Sequence, residues 1–499
     1  MAPSARKHPI PVIDLFAGPG GLNEGFSRLG EDEGVPTFKT IGSFEMEKSA
    51  VDTLTLRATY RHLFRSGGVP DAYYDFIRGE IDWDRFLSDT RVSTAHSDSK
   101  RHVHQVELGG ANDSSNATIT VALKKSGITD SQEPWVLIGG PPCQAYSLAG
   151  RSRRTNDATF ESDKKHFLYR EYLRIIQKFS PPVFVMENVK GLLSSKSAGT
   201  SMFDRIKQDL QRPGGDHEYS IYSLVTAGEP KSLRPADFII RSELYGVPQR
   251  RHRVILVGVR NDWRNPKPLD HILEKSGPVS VRDALTGMPA LRSGISPAGQ
   301  DSWDAWLSLR TQIASQLGEI SIDGAQLTRG DHSMSRMDAP RGEFGNWVID
   351  KRLDQVIQHE TRGHMREDLK RYFFAANYAI NNGVSPTLRN FPVSLLPLHK
   401  NVSAESVVFG DRFRVQLSND PSTTVVSHIS KDGHYYIHPD PAQMRSLTVR
   451  EAARLQSFPD NYYFMGNRTQ QYQQVGNAVP PLLATKIALI VHRLINHDK

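Results

Sequence analysis

The chain has 499 residues, of which 38% are hydrophobic and one is cysteine, and its formal net charge is +7. A single cysteine excludes an internal disulfide framework and a thiolate-rich zinc site, and it favours a reducing, cytoplasmic compartment. We expect no secretory signal, because the N-terminus lacks an apolar core, and no membrane span, because Lys486 interrupts the apolar stretch near the C-terminus.

Short apolar runs occur five times along the chain, most of them followed by turn residues or a helical pattern. They lie at residues 11–16, 38–45, 135–138, 182–186 and 254–259. Such strands alternating with helices indicate an α/β fold with a Rossmann-like, doubly wound and mostly parallel sheet. Ligands of these sheets bind beyond the carboxyl ends of the strands, so we expect the polar loops there to share one cleft.

A glycine-rich loop, DLFAGPGGL at residues 14–22, follows the first run. It departs from the full dinucleotide pattern because Asn23 stands where the last glycine would fall. Glu45, at the end of the second run, can accept hydrogen bonds from the ribose hydroxyls of an adenosine group. An adenosine cofactor without a pyrophosphate would fit, since the following helix N-terminus can meet a carboxylate. For the loop alone, a purely structural turn is the alternative.

Two segments interrupt this alternation. Residues 89–133 are polar and predict a surface insertion, whereas residues 292–440 contain a charged helical stretch at 352–374 and predict a second, smaller domain. The chain would then consist of a first domain at 1–291, this second domain, and a segment at 441–499 that returns to the first. In that last segment, Thr448 and Glu451 form a T-x-x-E capping box that predicts a helix start.

The only cysteine, Cys143, lies in VLIGGPPCQAYS, just after the third run. The fourth run leads into Glu187, which the fold would place nearby. A thiol beside a carboxyl group and arginines suits nucleophilic attack on an electron-poor ring, although an inert buried thiol is the alternative. Five arginines and no lysine lie within residues 234–253, which favours a nucleic acid as the partner.

Six separated stretches resemble, in order, the signature motifs of DNA (cytosine-5) methyltransferases of the bacterial restriction-modification or phage-defence type. They are DLFAGPGGL, GGPPCQAYS, ENVKGL, GVPQRRHRVILVG, RSLTVREAARLQSFPD and QQVGNAVPPLLA. The resemblance covers about residues 10–290 and 440–490. It implies an S-adenosylmethionine-dependent methyltransferase fold in which 292–440 is the target-recognition domain. The implied reaction is methyl transfer to C5 of a flipped-out cytosine in a specific duplex DNA sequence, through a covalent bond between Cys143 and C6.

The resemblance also implies roles for individual residues. Those of the S-adenosylmethionine pocket are Phe16, Ala17, Gly18, Gly20, Gly21, Leu22, Glu45, Met46, Glu80, Ile81, Pro142, Asn477, Ala478 and Val479. Those of the catalytic group are Cys143 as the nucleophile, Gln144, Glu187 against the base, Arg251 and Arg253. Those that would close over DNA are Ser147, Arg151, Arg153 and Arg154. The family more often has aspartate where Glu80 stands.

Two other functions are considered. The same chemistry on transfer RNA uses similar motifs, but the long region 292–440 suits duplex DNA better. A DNA-binding protein without catalysis is disfavoured by the intact Cys143, Glu187 and glycine loop. We expect no metal, because His359, His364, His428, His434 and His438 are irregularly spaced and lack a cysteine partner. An association with a restriction or other defence system is one interpretation that the resemblance allows.

Overall fold

The computed structural model describes residues 8–31, 33–142, 168–197, 200–263, 272–318, 326–397 and 410–496. The strands, in chain order, are β1 (Ile10–Leu15), β2 (Phe38–Glu45), β3 (Val103–Gln105), β4 (Val136–Gly139), β5 (Val183–Val189), β6 (Lys196–Ser197), β7 (Thr200–Ser201), β8 (Tyr219–Tyr222), β9 (Ile239–Arg241), β10 (His252–Arg260), β11 (Gly294–Ile295), β12 (Ser333–Ser335), β13 (Gln355–Ile357) and β14 (Gly363–His364).

The α-helices of these residues are α1 (Gly21–Arg28), α2 (Lys48–Arg65), α3 (Asp71–Arg78), α4 (Trp83–Ser88), α5 (Thr90–Lys100), α6 (Ser115–Lys125), α7 (Leu168–Phe179), α8 (Met202–Gln211), α9 (Val281–Leu285), α10 (Trp303–Gln316), α11 (Gly342–Val348), α12 (Arg366–Asn382), α13 (Val449–Leu455), α14 (Arg468–Asn477) and α15 (Pro481–Asn496).

Within the described residues, one main sheet has eight strands in the order β3-β2-β1-β4-β5-β10-β8, with β9 also paired to β10. The strands from β3 to β5 are parallel, and β10 runs antiparallel to β5, β8 and β9. The predicted doubly wound, mostly parallel α/β sheet is therefore confirmed. Its strand order reverses between β1 and β4, and the crevice for a ligand is expected at that point.

Helices cover both faces of this sheet. One face packs against α1 and α15 through side chains such as Leu22, Phe26 and Ile487, and the other packs against α6 and α7 through Ile119 and Tyr172. Burial on both faces explains why the five predicted runs are nearly continuous in apolar residues. Each run corresponds to a strand, and β5 extends further than predicted, so that Glu187 lies inside it.

Among the described residues, one helical segment, Arg468–Asn496, contains an 18-residue window with a mean hydropathy of 1.5, which is long and apolar enough to cross a membrane. It comprises α14 and α15, and 67% of its apolar window is buried inside the protein. The core helix of a water-soluble protein meets the same criterion. Here α15 packs on α1 so closely that a Cβ atom at Gly25 would overlap Ala484.

The prediction of a surface insertion at 89–133 is wrong. This segment holds α5, β3 and α6, and β3 pairs with β2 at Ser43 and Val103 as an edge strand of the main sheet. Ile119 and Leu123 of α6 are buried in the core. A strand of only three residues shows no alternation in the sequence, and so the strand was missed.

The region 292–440 has its own apolar cluster, in which Trp306 and Ile313 of α10 meet Leu369 and Tyr372 of α12. The predicted charged helix is shorter than expected: its first part forms β13 and β14, and α12 begins only at Arg366. Residues 332–361 also pack on the first part of the chain, since Leu353 lies in one cluster with α2 and α3. The division at 292 and 440 stays a prediction.

The capping box at the start of α13 is confirmed. The Thr448 hydroxyl oxygen accepts a hydrogen bond from the Glu451 N–H at 3.2 Å, and the Glu451 carboxylate accepts one from the Thr448 N–H at 2.7 Å. Two N–H groups that the helix itself cannot satisfy are paired in this way.

Candidate active site

The loop after β1 is a tight turn built on left-handed backbone angles. Phe16, Gly18 and Gly20 have φ values of 53°, 55° and 92°. The Ala17 N–H donates to the Phe44 carbonyl at 3.1 Å, and the Gly20 N–H donates to the Ala17 carbonyl at 2.9 Å. The turn therefore joins the ends of β1 and β2 before α1 begins.

Glu45 ties this loop to β2. One carboxylate oxygen accepts a hydrogen bond from the Gly18 N–H at 2.8 Å, and the other accepts from the N–H groups of Met46 and Glu47 at 2.9 Å each. Burial raises the pKa of Glu45, and these three hydrogen bonds partly offset that shift. The carboxylate is thus held at the predicted position, with one oxygen turned towards the loop.

Open space lies beside Gly18, next to this carboxylate. A Cβ atom built at Gly18 would have no other atom of the described residues within 4 Å. The apolar Met46 side chain, next to Glu45, is 54% exposed. Gln105, at the end of β3, donates its side-chain amide to the Met46 carbonyl at 3.2 Å and so borders the same edge, a residue that the sequence did not reveal.

The C-terminal segment packs against the start of α1, where Ala478 and Val479 lie beside Gly21. The role of Asn477, Ala478 and Val479 in a cofactor pocket stays a prediction. A Cβ atom at Gly21 would lie 3.2 Å from the Ala478 side chain and closer still to the Val479 backbone. Glycine is therefore needed where α1 meets this segment. Leu22, in contrast, is buried in the core cluster beneath the loop.

Glu80 and Ile81 do not lie at this edge of the sheet, and the prediction that they flank the adenine is corrected. They form the turn between α3 and α4, where Glu80 pairs with Arg78 at 2.8 Å and Ile81 packs on the apolar cluster of α2 and α3. The strand next to β2 is β3, so Gln105 occupies the place that we expected for Glu80.

The second half of the site lies where β4, β5 and β10 meet. Arg253 Nε lies 2.8 Å from Glu187 Oε1, and each of the two side chains is only 13% exposed. A Cβ atom at Gly140 would lie 3.1 Å from the second oxygen of Glu187. The stretch Gly140–Pro142 after β4 therefore starts beside this ion pair, and Pro142 is the last described residue there. The remaining predictions for this loop fall outside the described residues: Cys143, Gln144, Ser147, Arg151, Arg153 and Arg154.

Arg251 was predicted in the catalytic group, but its side chain is occupied elsewhere. It is 2% exposed, and its guanidinium donates to the carbonyls of Val425 at 2.8 Å and Gly476 at 3.2 Å. Burial, together with the nearby Arg253, holds the pKa of Arg251 well below its usual range. Arg251 therefore anchors the strand that carries Arg253 and makes no described hydrogen bond to Glu187.

Gln249 is a further anchor that the sequence analysis missed. Its buried amide donates to the Leu455 carbonyl at 3.1 Å and accepts from the Val425 N–H at 2.8 Å. The recurrence of Gln249, Arg251 and Arg253 at every second position is the signal that could have placed these side chains on one face.

No group of three or more metal-ligating side chains occurs in the part of the chain that the structure describes. His359, one of the histidines considered for such a site, has Nδ1 at 2.9 Å from the Thr448 hydroxyl and Nε2 at 2.9 Å from the Pro289 carbonyl. Both of its ring nitrogens are therefore used in hydrogen bonds inside the fold.

The family model and the names of the related proteins that match this chain all describe methyltransferases. A family model for C-5 cytosine-specific DNA methylase matches residues 112–492. The type II methyltransferase M.Bpa9945I of Bacillus paralicheniformis is 34% identical, and the alignment covers 97% of this chain and 99% of that protein. The type II methyltransferase M1.HphI of Haemophilus parahaemolyticus is 27% identical, with 98% and 88% covered.

Among solved structures, a prophage-encoded Escherichia coli protein described as a DNA modification methyltransferase is similar with a TM-score of 0.55. Its sequence is 19% identical, and 98% of this chain and 99% of that chain are covered, which supports the fold. The family model spans most of the chain, and a relative above 30% identity covers nearly all of it. The chain therefore belongs to the C-5 cytosine-specific DNA methylase family and is a DNA (cytosine-5-)-methyltransferase.

Proposed function

We propose that this enzyme transfers a methyl group from S-adenosylmethionine to C5 of a cytosine in duplex DNA, through a covalent bond between Cys143 and C6. The observation that carries this proposal is the partly buried Glu187–Arg253 pair beside Gly140, across the strand-order reversal from the open glycine loop. One half of the crevice suits a cofactor, and the other suits a base.

In the cofactor half, Glu45 and Met46 would bind the adenosine. S-adenosylmethionine, when bound, supplies an electrophilic methyl group on a sulfonium. The Glu45 oxygen that accepts from Gly18 keeps a lone pair for a ribose hydroxyl, whereas the other oxygen already accepts two N–H groups. The exposed Met46 side chain can contact the adenine. Phe16, Ala17, Gly18 and Gly20 would shape the remaining wall.

In the base half, the thiolate of Cys143 would add to C6. A C6–S bond forms, and the displaced electron pair moves towards N3, where a proton shared with the Glu187 carboxyl stabilises it. Arg253, held by Glu187, would donate to O2 of the base. C5 of this enamine then takes the methyl group as the sulfonium S–CH₃ bond breaks. A base removes the C5 proton, the C6–S bond breaks, and the thiolate leaves.

The cytosine must leave the DNA stack to reach this crevice, which costs roughly a few kcal/mol. Ser147, Arg151, Arg153 and Arg154 would close over the DNA, and the region 292–440 would recognise its sequence. The relatives are named type II methyltransferases, which supports a role in restriction-modification. The single cysteine supports a cytoplasmic location.

The direct test is methyl transfer from labelled S-adenosylmethionine to duplex DNA and, in parallel, to transfer RNA. We expect the wild-type protein to label duplex DNA and Cys143→Ala to label neither, while Cys143→Ala still binds S-adenosylmethionine. Labelling of transfer RNA alone would overturn the DNA assignment. Labelling by Cys143→Ala at the wild-type rate would overturn the nucleophile.

A further inference from the structure

The back of the glycine loop is held by a tyrosine that lies more than 400 positions away in the sequence. The Tyr462 hydroxyl donates a hydrogen bond to the Pro19 carbonyl. A Cβ atom at Gly20 would lie 3.1 Å from the same hydroxyl. The contact therefore falls on the middle of the turn, between the left-handed Gly18 and Gly20.

Tyr462 is itself immobilised. It is 1% exposed, and its ring centroid lies 4.7 Å from that of Phe458 and 5.4 Å from that of Phe464. The Arg57 guanidinium stands 4.8 Å from the ring, and it also donates to both carboxylate oxygens of Glu24 on α1. The hydroxyl is thus fixed relative to both α1 and α2.

The phenol also remains a donor at every working pH. Burial raises the pKa of Tyr462 far above its usual range. Pro19 has no N–H, so its carbonyl is its only backbone group that can form a hydrogen bond. Without a donor, this carbonyl would be left unpaired inside the protein, and the turn would be free to relax.

We propose that Tyr462 is a positioning residue for the cofactor: through the Pro19 carbonyl it holds the turn in which the Gly18 N–H meets Glu45 and the space beside Gly18 stays open. The inference rests on the proposed use of S-adenosylmethionine. Tyr462 does not face that space, since it acts on the loop from behind, and its effect therefore belongs to cofactor binding rather than to the chemical step.

The variant Tyr462→Phe removes only the hydroxyl. Tyr472→Phe is a matched control, because Tyr472 is also 1% exposed and donates to a backbone carbonyl, that of Leu447, at 2.6 Å. We expect Tyr462→Phe to raise the Kd for S-adenosylmethionine and for S-adenosylhomocysteine roughly 5- to 30-fold in calorimetric titrations. The kcat at saturating cofactor should fall by less than the affinity does.

Tyr472→Phe should leave both Kd values within about twofold of wild type, even where the melting temperatures of the two variants fall equally. Melting curves of both unliganded variants would establish that they are folded. Equal cofactor affinity of wild type and Tyr462→Phe would overturn the positioning role of Tyr462 but leave the proposed function standing. An equal loss of affinity in Tyr472→Phe would show that the effect of Tyr462 is one of general stability, and this too would overturn the positioning role. A wild-type protein that binds neither ligand would overturn the proposed function together with this inference.

Discussion

The carboxyl edge of the main sheet and the region 292–440 keep their backbones in place by different means. At the sheet edge, the hydrogen-bond ladders of β1, β2, β4 and β5 satisfy the peptide groups. In the region 292–440 the strands have only two or three residues. There Arg362 donates to the carbonyls of Lys431 and Ile429, and Arg371 donates to that of Leu395.

Two buried arginines of α13, which follows this region in the chain, also pair with backbone carbonyls. Arg450 donates to the carbonyls of Ile357 and Tyr462, and Arg454 donates to those of Ala284 and Thr286. Irregular backbone needs hydrogen-bond partners, and a guanidinium offers five N–H groups. Part of the basic charge is therefore internal, and the net charge overstates how basic the surface is.

The largest effect is expected at the sheet edge itself. Glu187→Gln keeps the shape of the side chain but removes the charge that faces Arg253 and the base. We expect the rate constant of methyl transfer to DNA, measured in single-turnover assays, to fall by at least about 100-fold, with cofactor affinity unchanged. Glu243→Gln is the matched control, because Glu243 pairs at 2.8 Å with His252, the first residue of β10, the strand that also carries Arg253. A rate constant within threefold of wild type for Glu187→Gln would remove Glu187 from the mechanism.

The second prediction contrasts two adjacent arginines. Arg251→Met leaves the Val425 and Gly476 carbonyls without their donor, and we expect a loss of about 2–4 kcal/mol in unfolding free energy, measured by urea denaturation. Arg250→Met removes an exposed side chain paired with Asp420 at 3.2 Å and should cost less than about 1 kcal/mol. Equal losses would show that the buried arginine is no anchor.

The third prediction concerns the open space at the glycine loop. Gly18→Ala should weaken S-adenosylmethionine binding at least about tenfold, because the new methyl group occupies that space. Gly383→Ala is the control: Gly383 has φ 69°, near the 55° of Gly18, and a Cβ atom there also meets nothing within 4 Å. Both variants should lose similar stability from backbone strain, about 1–2 kcal/mol, while only Gly18→Ala changes the cofactor Kd in calorimetry. Equal cofactor affinity in the two variants would place the cofactor elsewhere.

The fourth prediction is a pH dependence of stability in the region 292–440, and it leaves the reaction itself unchanged. Burial lowers the pKa of His359 to about 4, so the ring stays neutral in the folded protein, whereas the unfolded chain takes up a proton below about pH 6.5. Its stability contribution is complete above about pH 6.5 and is lost as the pH falls towards 4, by roughly 2 kcal/mol at pH 5. His359→Gln should therefore lose less melting temperature than wild type between pH 7 and pH 5. If the melting temperature of His359→Gln falls as much as that of wild type between pH 7 and pH 5, other titrating groups cause the pH dependence.

The contrast between long strands and contacts made by distant side chains also explains which site residues the sequence predicts. Glu45 and Glu187 were predicted correctly at the carboxyl edge of the sheet because each lies in or at the end of a long apolar run. Glu80 was misplaced because β3 has three residues and gives no periodic signal. Gln249 and Tyr462 were missed because their partners lie some 170 to 440 positions away in the chain, and no local pattern reports such contacts.

The most direct test of the central claim is covalent capture on duplex DNA that carries 5-fluorocytosine at the methylated position. Fluorine at C5 cannot leave as a proton does, so the C6–S bond formed by Cys143 should persist after methyl transfer. We predict a denaturation-resistant protein–DNA complex that requires S-adenosylmethionine and is absent with Cys143→Ala. No such complex from wild-type protein, on a duplex whose unfluorinated form it methylates, would contradict the covalent mechanism.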